Sequence, residues 1–312
     1  MRLAASVVLV GGALAATVAW AACGGDAFTT GPAADRDGAT PSAGEASAAP
    51  STDADAGVEA GLDRTVDSGS EPDVAVKVPS DASMPGGGCP AGRGPAMLLV
   101  DGFCVDATEA TSAQYNDFLL AGAALSVQPT ECSWNASYLP GNGWTFVSSQ
   151  GTLPIASVNW CDAYAFCKWA GKRLCGKVGG GPADFSDFSG NDNEHYVACS
   201  NGSTRLYPYG NAFDPTACNG PEHDAGSVLP VGSLTGCQGG VAGLFDMSGN
   251  VEEWQDACDG NSGPSDHCLD GTGAFDYGAG PGGTRCDFAD NDLRNGEYPD
   301  VGIRCCATPA SP

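Results

Sequence analysis

The sequence predicts an α+β domain of about 220 residues, over residues 89–312, that is rich in loops and held together by disulfides. Glycine and cysteine are frequent from Cys89 onward, which is typical of a disulfide-supported exported domain. Two segments carry clear helix signals, and the other apolar runs are short and strand-like. Long loops in a compact domain usually need support, so we expect disulfides and bound ions to hold them.

Residues 1–22 are predicted to be an export signal peptide. A short positively charged region is followed by an apolar run and by small residues before Cys23. A cysteine at this point resembles the lipid-attachment site of bacterial lipoproteins, although Trp20 stands where that motif usually has leucine. We expect Cys23 to carry a lipid that anchors the protein to the cell envelope; the alternative is an ordinary, unlipidated signal peptide. An aspartate directly after the lipidated cysteine would favour the inner membrane. This chain has Gly24 there, which favours the outer membrane.

Residues 23–88 are predicted to be a disordered acidic tether. Small and polar residues dominate this segment, acidic residues far outnumber basic ones, and Phe28 is its only aromatic residue. Such a composition buries too little apolar surface to offset the entropy lost on ordering. The whole chain has a formal net charge of −25, which leaves no basic surface for phosphates. Nucleic acid is therefore excluded as a partner.

Three local signals place the first elements of the folded part. Residues 97–106 are predicted to form two strands around the turn Asp101-Gly102. Thr111 begins a capping box and a helix that extends to about residue 121. A second helix is predicted from Asn159, its N-cap, to residue 170, with Gly171 just after its end. After residue 176 the sequence predicts mainly loops and short strands.

Residues 243–254 have the pattern of an oxygen-ligand loop. Asp246 and Glu253 carry carboxylates, and the backbone carbonyls of Gly249 and Val251 lie between them. Calcium prefers oxygen ligands at about 2.3–2.6 Å, and this spacing therefore predicts a calcium site. The alternative is a polar turn that leads into a strand, with Glu253 and the glutamate before it in solvent.

The cysteine count favours disulfides over a metal centre. Of the 15 cysteines, all but Cys23 lie between Cys89 and Cys306, and this even set allows up to seven bridges of unknown connectivity. No Cys-x-x-Cys pair occurs and the three histidines are scattered, which argues against a zinc site.

Six blocks occur in a consistent order along the folded part, at residues 103–118, 154–174, 207–211, 230–233, 243–254 and 302–305. Together they resemble the sulfatase-modifying factor, or formylglycine-generating enzyme, family. The resemblance implies a C-type-lectin-like α+β fold that is stabilised by calcium. It also implies calcium at the four residues that the spacing predicts, and family members mostly have tryptophan where this chain has Glu252.

A second calcium site is implied by the same resemblance. Its ligands fall on Asn219, the carbonyl of Gly220, Asp224 and the carbonyl of Gly226. The loop that carries them is much shorter here than in the enzymes of the family. A plain polar loop is therefore the alternative.

The catalytic pair of the family does not map onto this chain. Active members oxidise a sulfatase cysteine to formylglycine with copper(I) held by two cysteines, and soft thiolates suit copper(I). If residues 282–286 are the family's turn, Asn291 stands where the partner of Cys286 should be. If the turn begins at Gly271, neither position is a cysteine. We therefore predict that Cys286 is a disulfide partner.

The combined prediction is an exported, lipid-anchored and non-catalytic binding or maturation module for an envelope protein, peptide or glycan. Its loops at residues 130–151 and 179–193 carry aromatic side chains that we expect to be exposed, namely Trp134, Tyr138, Trp144, Phe185 and Phe188. One alternative is a formylglycine-generating oxidase, which would use copper. The other is a structural envelope protein.

Overall fold

The computed structural model describes residues 88–310. The predicted signal peptide at residues 1–22, the lipidation site Cys23 and the tether up to residue 87 therefore lie outside the described residues. The described part forms eight strands, four helices and short 3₁₀ turns, in the order β1 (Met97–Val100), β2 (Phe103–Asp106), α1 (Ser112–Leu120), α2 (Trp160–Trp169), β3 (Arg173–Leu174), α3 (Glu194–Ser200), β4 (Glu252–Cys258), β5 (His267–Gly271), α4 (Gly280–Gly283), β6 (Ala289–Leu293), β7 (Val301–Gly302) and β8 (Cys305–Ala307).

The strands form two sheets of four. The first has the order β1-β2-β8-β3. The last strand of the chain, β8, therefore lies between β2 and β3, and Cys104 of β2 lies opposite Ala307 of β8. The second has the order β6-β5-β4-β7, antiparallel except for the parallel pair β4 and β7. Helices packed beside mainly antiparallel sheets confirm the predicted α+β class. None of the helices in residues 88–310 is both long and apolar enough to span a membrane.

The first hairpin turn and the starts of α1 and α2 lie where the sequence predicts them. The β1–β2 turn has positive φ angles at Asp101 (41°) and Gly102 (89°), as hairpin turns of this kind require. Thr111 caps α1 with a complete capping box. Asn159 caps α2, and its side chain accepts from the N–H groups of Cys161 and Asp162. In return, Oδ2 of Asp162 accepts from the Asn159 N–H.

An aromatic core lies between α1, α2 and β4. Tyr115, Phe118 and Phe166 are fully buried, and their ring centroids are 5.2–5.9 Å apart. Each such side chain contributes about 2–3 kcal/mol through burial. Tyr138 joins them at 5.2 Å from Phe118 and is only 7% exposed, so the expectation that it lies on the surface was wrong. Its backbone carbonyl accepts from the Tyr115 hydroxyl, which fixes its loop to the core.

Seven disulfides use all the cysteines between Cys89 and Cys306, which confirms the predicted framework. Two of them join α2 and the region of β3 to β8 across sequence separations of 138 and 131 residues, which restricts the unfolded chain. The pairs are Cys89–Cys104, Cys132–Cys161, Cys167–Cys305, Cys175–Cys306, Cys199–Cys286, Cys218–Cys237 and Cys258–Cys268.

The cap of α2 gives a direct test of this assignment. Replacing Asn159 by Ala leaves two buried N–H groups without their acceptor, so we expect a loss of about 1–2 kcal/mol in the free energy of unfolding. Urea unfolding of the disulfide-intact protein measures it. Asn159→Ser keeps an acceptor oxygen and serves as the control. Equal losses in the two variants would contradict the capping role.

Candidate functional site

The predicted calcium loop leads into β4, which begins with two adjacent glutamates. Because side chains alternate between the two faces of a strand, Glu252 and Glu253 point to opposite sides of the sheet. Both are buried, at 3% and 1% exposure. The alternative that placed these glutamates in solvent is therefore wrong. Each carboxylate has to be balanced by groups inside the protein.

Glu253 is balanced by Arg304 and His195. Nε and Nη2 of Arg304 donate to Oε1 of Glu253 at 3.0 and 2.8 Å, and Nε2 of His195 lies 3.2 Å from Oε2. Burial alone would raise the pKa of Glu253, but Arg304 and His195 together lower that pKa below its ordinary value. Glu253 is therefore ionised, and both of its oxygens already have partners.

Asp246 lies beside a third carboxyl group, Glu109, which the sequence analysis missed. Oδ2 of Asp246 accepts from the Gly232 N–H at 2.6 Å, and its side chain contacts Glu109. Glu109 is fully buried; its Oε1 accepts from Nδ2 of Asn250 at 2.9 Å, and its Oε2 has no partner. Burial raises the pKa of Glu109 well above its ordinary value, and Asp246 adds to the effect. The only signal in the sequence was an acidic residue soon after β2.

The charges around this loop fit a cation. The carboxyl groups of Glu109, Asp246 and Glu253 surround one guanidinium, that of Arg304, so acidic groups outnumber the basic group that faces all of them. The unpartnered Oε2 of Glu109 offers a free oxygen ligand beside the predicted set. Among residues 88–310, however, no three His, Cys, Asp or Glu side chains are already arranged to hold a metal ion. Calcium at this loop therefore stays a prediction.

The second predicted calcium set is divided between a buried and an exposed part. Asn219 is 3% exposed; its Nδ2 donates to the Ser227 carbonyl and to Oδ1 of Asn250, both at 3.0 Å, while its own Oδ1 has no partner. Asp224 and Gly226 are exposed and have left-handed φ angles of 63° and 66°. Gly220, the fourth member, has an extended backbone. The free oxygen of Asn219 suits a cation ligand, and the plain-loop alternative remains open.

Cys286, the one cysteine at a possible copper position, is bonded to Cys199. This confirms the prediction that Cys286 is a disulfide partner. Gly271, where the other candidate turn begins, is the last residue of β5 and packs against His195. A Cβ atom at Gly271 would lie 2.5 Å from the imidazole ring, so only glycine fits there.

On the opposite face of β4, Glu252 lies among carboxylates. Asp270 on β5 is fully buried, and neither of its Oδ atoms nor Oε1 of Glu252 has a hydrogen-bond partner. Burial raises the pKa of Glu252 to about 10 and that of Asp270 well above its ordinary value, and neighbouring aspartates add to both shifts. None of the ion pairs in the described residues includes either group.

A cleft of about 910 Å³ opens beside the N-terminal half of α2. Trp160 and Tyr164 stack at 5.4 Å on its wall, and Phe185 comes from a neighbouring loop. Arg294 lies 5.1 Å over the Trp160 ring and is already paired with Asp266 at 2.7 Å. The other charged groups of the lining are all acidic, namely Glu131, Asp184, Asp256 and Asp259.

The aromatic residues of the two predicted loops do not form one surface. Phe185 lines the cleft, whereas Trp134 and Trp144 are half-buried and pack against the aromatic core. Phe188 is half-buried as well. Most of the aromatic set therefore covers the core, and Phe185 is the member that is placed to meet a ligand.

Two of the six sequence blocks meet in the structure, because Arg304 of residues 302–305 pairs with Glu253 of residues 243–254. The second helix, α2, comes from a third block, residues 154–174. The sequence profile of the sulfatase-modifying factor enzyme 1-like domain matches residues 71–309. The chain belongs to this family. Membership confirms the fold of the formylglycine-generating enzyme type that the resemblance implied.

Named relatives include inactive and active members. The chain is 27% identical over 194 residues to the inactive C-alpha-formylglycine-generating enzyme 2 of Mus musculus, covering 57% of this chain and 56% of that protein. It is 30% identical over 135 residues to the formylglycine-generating enzyme of Thermomonospora curvata, covering 39% and 38%. The chain thus spans about half, or less, of these relatives. PvdO from Pseudomonas aeruginosa is 18% identical with a TM-score of 0.44, covering 69% of this chain and 89% of that one, a likeness too low to bear on function.

Proposed function

We propose that this protein is an exported, lipid-anchored and non-catalytic binding module of its family. The observation that supports this most is that every cysteine between Cys89 and Cys306 is in a disulfide, Cys286 included. Copper(I) needs soft thiolate ligands, and bonded cysteines do not supply them. The mouse relative's name, which describes an inactive enzyme, supports the same interpretation.

Export is supported by the same disulfides. Seven bridges in one domain form and persist in an oxidising compartment, such as the periplasm or the cell surface. The signal-peptide pattern of residues 1–22 and the cysteine at position 23 agree with this location and with a lipid anchor in the envelope. The missing aspartate after Cys23 favours the outer membrane.

Intact-mass measurement of the native exported protein, alkylated without reductant, tests both parts of the proposal. We expect no alkylation and a mass that corresponds to a lipidated chain beginning at Cys23. Two alkyl groups would reveal a free thiol pair and favour the formylglycine-generating oxidase, which a copper-dependent assay on a sulfatase peptide would then test. A mass without lipid would contradict the anchor alone.

The ligand of the module is proposed to be a basic peptide segment that enters the cleft beside α2. Four acidic side chains line this cleft, and its arginine, Arg294, is already neutralised by Asp266. The exposed edges of Tyr164 and Phe185 offer aromatic faces, on which guanidinium groups stack favourably. A cationic peptide thus satisfies both the charge and the aromatic character of the lining.

Fluorescence anisotropy with a labelled arginine-glycine peptide, at physiological salt, tests the cleft. We expect Phe185→Ala to weaken binding by about tenfold, as for loss of an aromatic contact at an interface. Phe146→Ala is the control, because Phe146 is an exposed phenylalanine that does not line the cleft. Equal effects of the two variants would show that the peptide binds only through the protein's overall negative charge.

Calcium is proposed as a structural ion at Asp246, Glu253 and the carbonyls of Gly249 and Val251, with Glu109 as an additional ligand. The excess of carboxylates around Arg304 supports this assignment. A ligand that binds only the folded protein stabilises it, by about 2.7 kcal/mol at a concentration one hundred times its Kd.

We therefore expect calcium to raise the melting temperature, and Asp246→Asn to reduce this rise. The asparagine keeps the size of the side chain and leaves the Glu253–Arg304 pair intact. Asp224→Asn in the second predicted set is the matched control. A calcium-dependent rise that is unchanged by Asp246→Asn but reduced by Asp224→Asn would place the ion at the second predicted set. A rise that neither variant reduces would exclude both predicted calcium sites.

A further inference from the structure

The second sheet carries four acidic side chains on one face. Trp254 of β4 lies opposite Asp270 of β5, and Asp270 lies opposite Asp290 of β6. Directly opposite residues share a face, with Cβ atoms about 4.5–5.5 Å apart, and residues two positions along share it as well. Glu252 and Asp292 therefore join Asp270 and Asp290 on the same face.

Contacts between the side chains confirm this placement. The Asp292 carboxyl group is within hydrogen-bond reach of Asp270, and it also contacts the Tyr298 hydroxyl. Asp290 accepts from the Tyr277 hydroxyl at 2.6 Å. The residues reach across three strands, and we call Glu252, Asp270, Asp290 and Asp292 the carboxylate cluster.

Two members of the carboxylate cluster have unsatisfied oxygens and no basic partner among residues 88–310; the group nearest to Asp270 is another carboxyl group, that of Asp292. Asp270 is 0% exposed, and both of its oxygens are without a hydrogen bond. Glu252 is 3% exposed, and its Oε1 is likewise unpartnered. Buried carboxylate oxygens normally have donors or a cation, and here the charged neighbours are further carboxylates, with Asp300 beside them. On the other face of β4, the buried carboxylate of Glu253 does have a cationic partner, because Arg304 pairs with it.

We propose that the carboxylate cluster binds a hard divalent cation of the size of calcium, with Glu252 and Asp270 as inner ligands and Asp290 and Asp292 completing the oxygen set from the rim. Such ions take six to eight oxygens, so carboxylates from three strands and water supply a suitable shell. The inner pair is already buried, whereas the outer pair is half-exposed and lies on an edge strand. Binding would draw the outer carboxylates inward, since the side chains are not prearranged around one point.

This site is separate from the calcium loop, although the two share β4. The loop set uses Glu253 on one face of the strand, and the carboxylate cluster uses Glu252 on the other. Neither proposal depends on the other. Variants at Asp270 and at Asp246 therefore distinguish them.

Terbium luminescence tests the proposal, because Trp254, Tyr277 and Tyr298 surround the carboxylate cluster and can sensitise a bound Tb³⁺ ion. We expect sensitised emission from the metal-free protein on adding Tb³⁺, and loss of that emission on adding Ca²⁺. Asp270→Asn combined with Glu252→Gln should remove most of the emission, at least a fivefold drop. Asp246→Asn should leave it in place, and so should Asp117→Asn, which replaces an exposed acid on α1.

The melting temperature measured in a metal chelator shows whether the double variant folds as stably as the wild type. The double variant replaces two buried carboxyl groups that lie among further carboxyl groups, so without metal it should melt no lower than the wild type. Calcium at pH 8 should then raise the wild-type melting temperature more than that of the double variant. Emission that survives in the double variant after Asp246→Asn is added to it would overturn the proposal. Equal calcium shifts in the two proteins would also overturn it, since they would show that the buried carboxyl groups are simply protonated.

Discussion

The guanidinium of Arg304 is the group on which the arrangement of the site depends. It is fully buried, and its donors reach Glu253 and the backbone carbonyls of Asp106, Phe245 and Asp246 at 2.8–3.0 Å. These contacts tie the first sheet, the predicted calcium loop and β4 to one point. A buried charge is tolerated only when its hydrogen bonds are satisfied, and removing one partner of such a pair typically costs about 3–5 kcal/mol. Arg304 therefore holds both ends of this loop, at Asp246 and at Glu253.

The two adjacent glutamates of β4 are identical residues in opposite electrostatic environments. Glu253 faces Arg304 and His195 and is held as an anion. Glu252 faces the other side, where the neighbouring charges are aspartates and the pKa is raised instead. The alternation of side chains along a strand creates this contrast, and the register with β5 decides which aspartate meets Glu252. A shift of β4 by one residue relative to all its neighbours would exchange the faces on which the two glutamates lie.

Local features could be predicted from the sequence, and non-local ones could not. The cap at Asn159 and the turn at Asp101 depend on residues within a few positions of each other, and the structure shows both. Helix α3 was missed because it is short, although Asn193 caps it. The partners of Glu109 and Glu252 come from distant segments, so spacing could not reveal that either is buried. Tyr138 was misplaced for the same reason, since burial of a loop aromatic is decided by the helix beneath it.

Membership of a family fixes the scaffold, whereas the chemistry depends on the groups that the scaffold carries. In this chain Cys258 and Cys268 of the second sheet are bonded to each other, and Cys286 is bonded to Cys199 of α3. The same sheet presents carboxylates. Thiolates suit soft ions such as copper(I), and carboxylates suit hard ions such as calcium. The bonded thiols of this region therefore do not offer thiolates to a soft ion, whereas its acidic side chains suit a hard one. The cleft beside α2 has an aromatic wall, formed by the stacked rings of Trp160 and Tyr164.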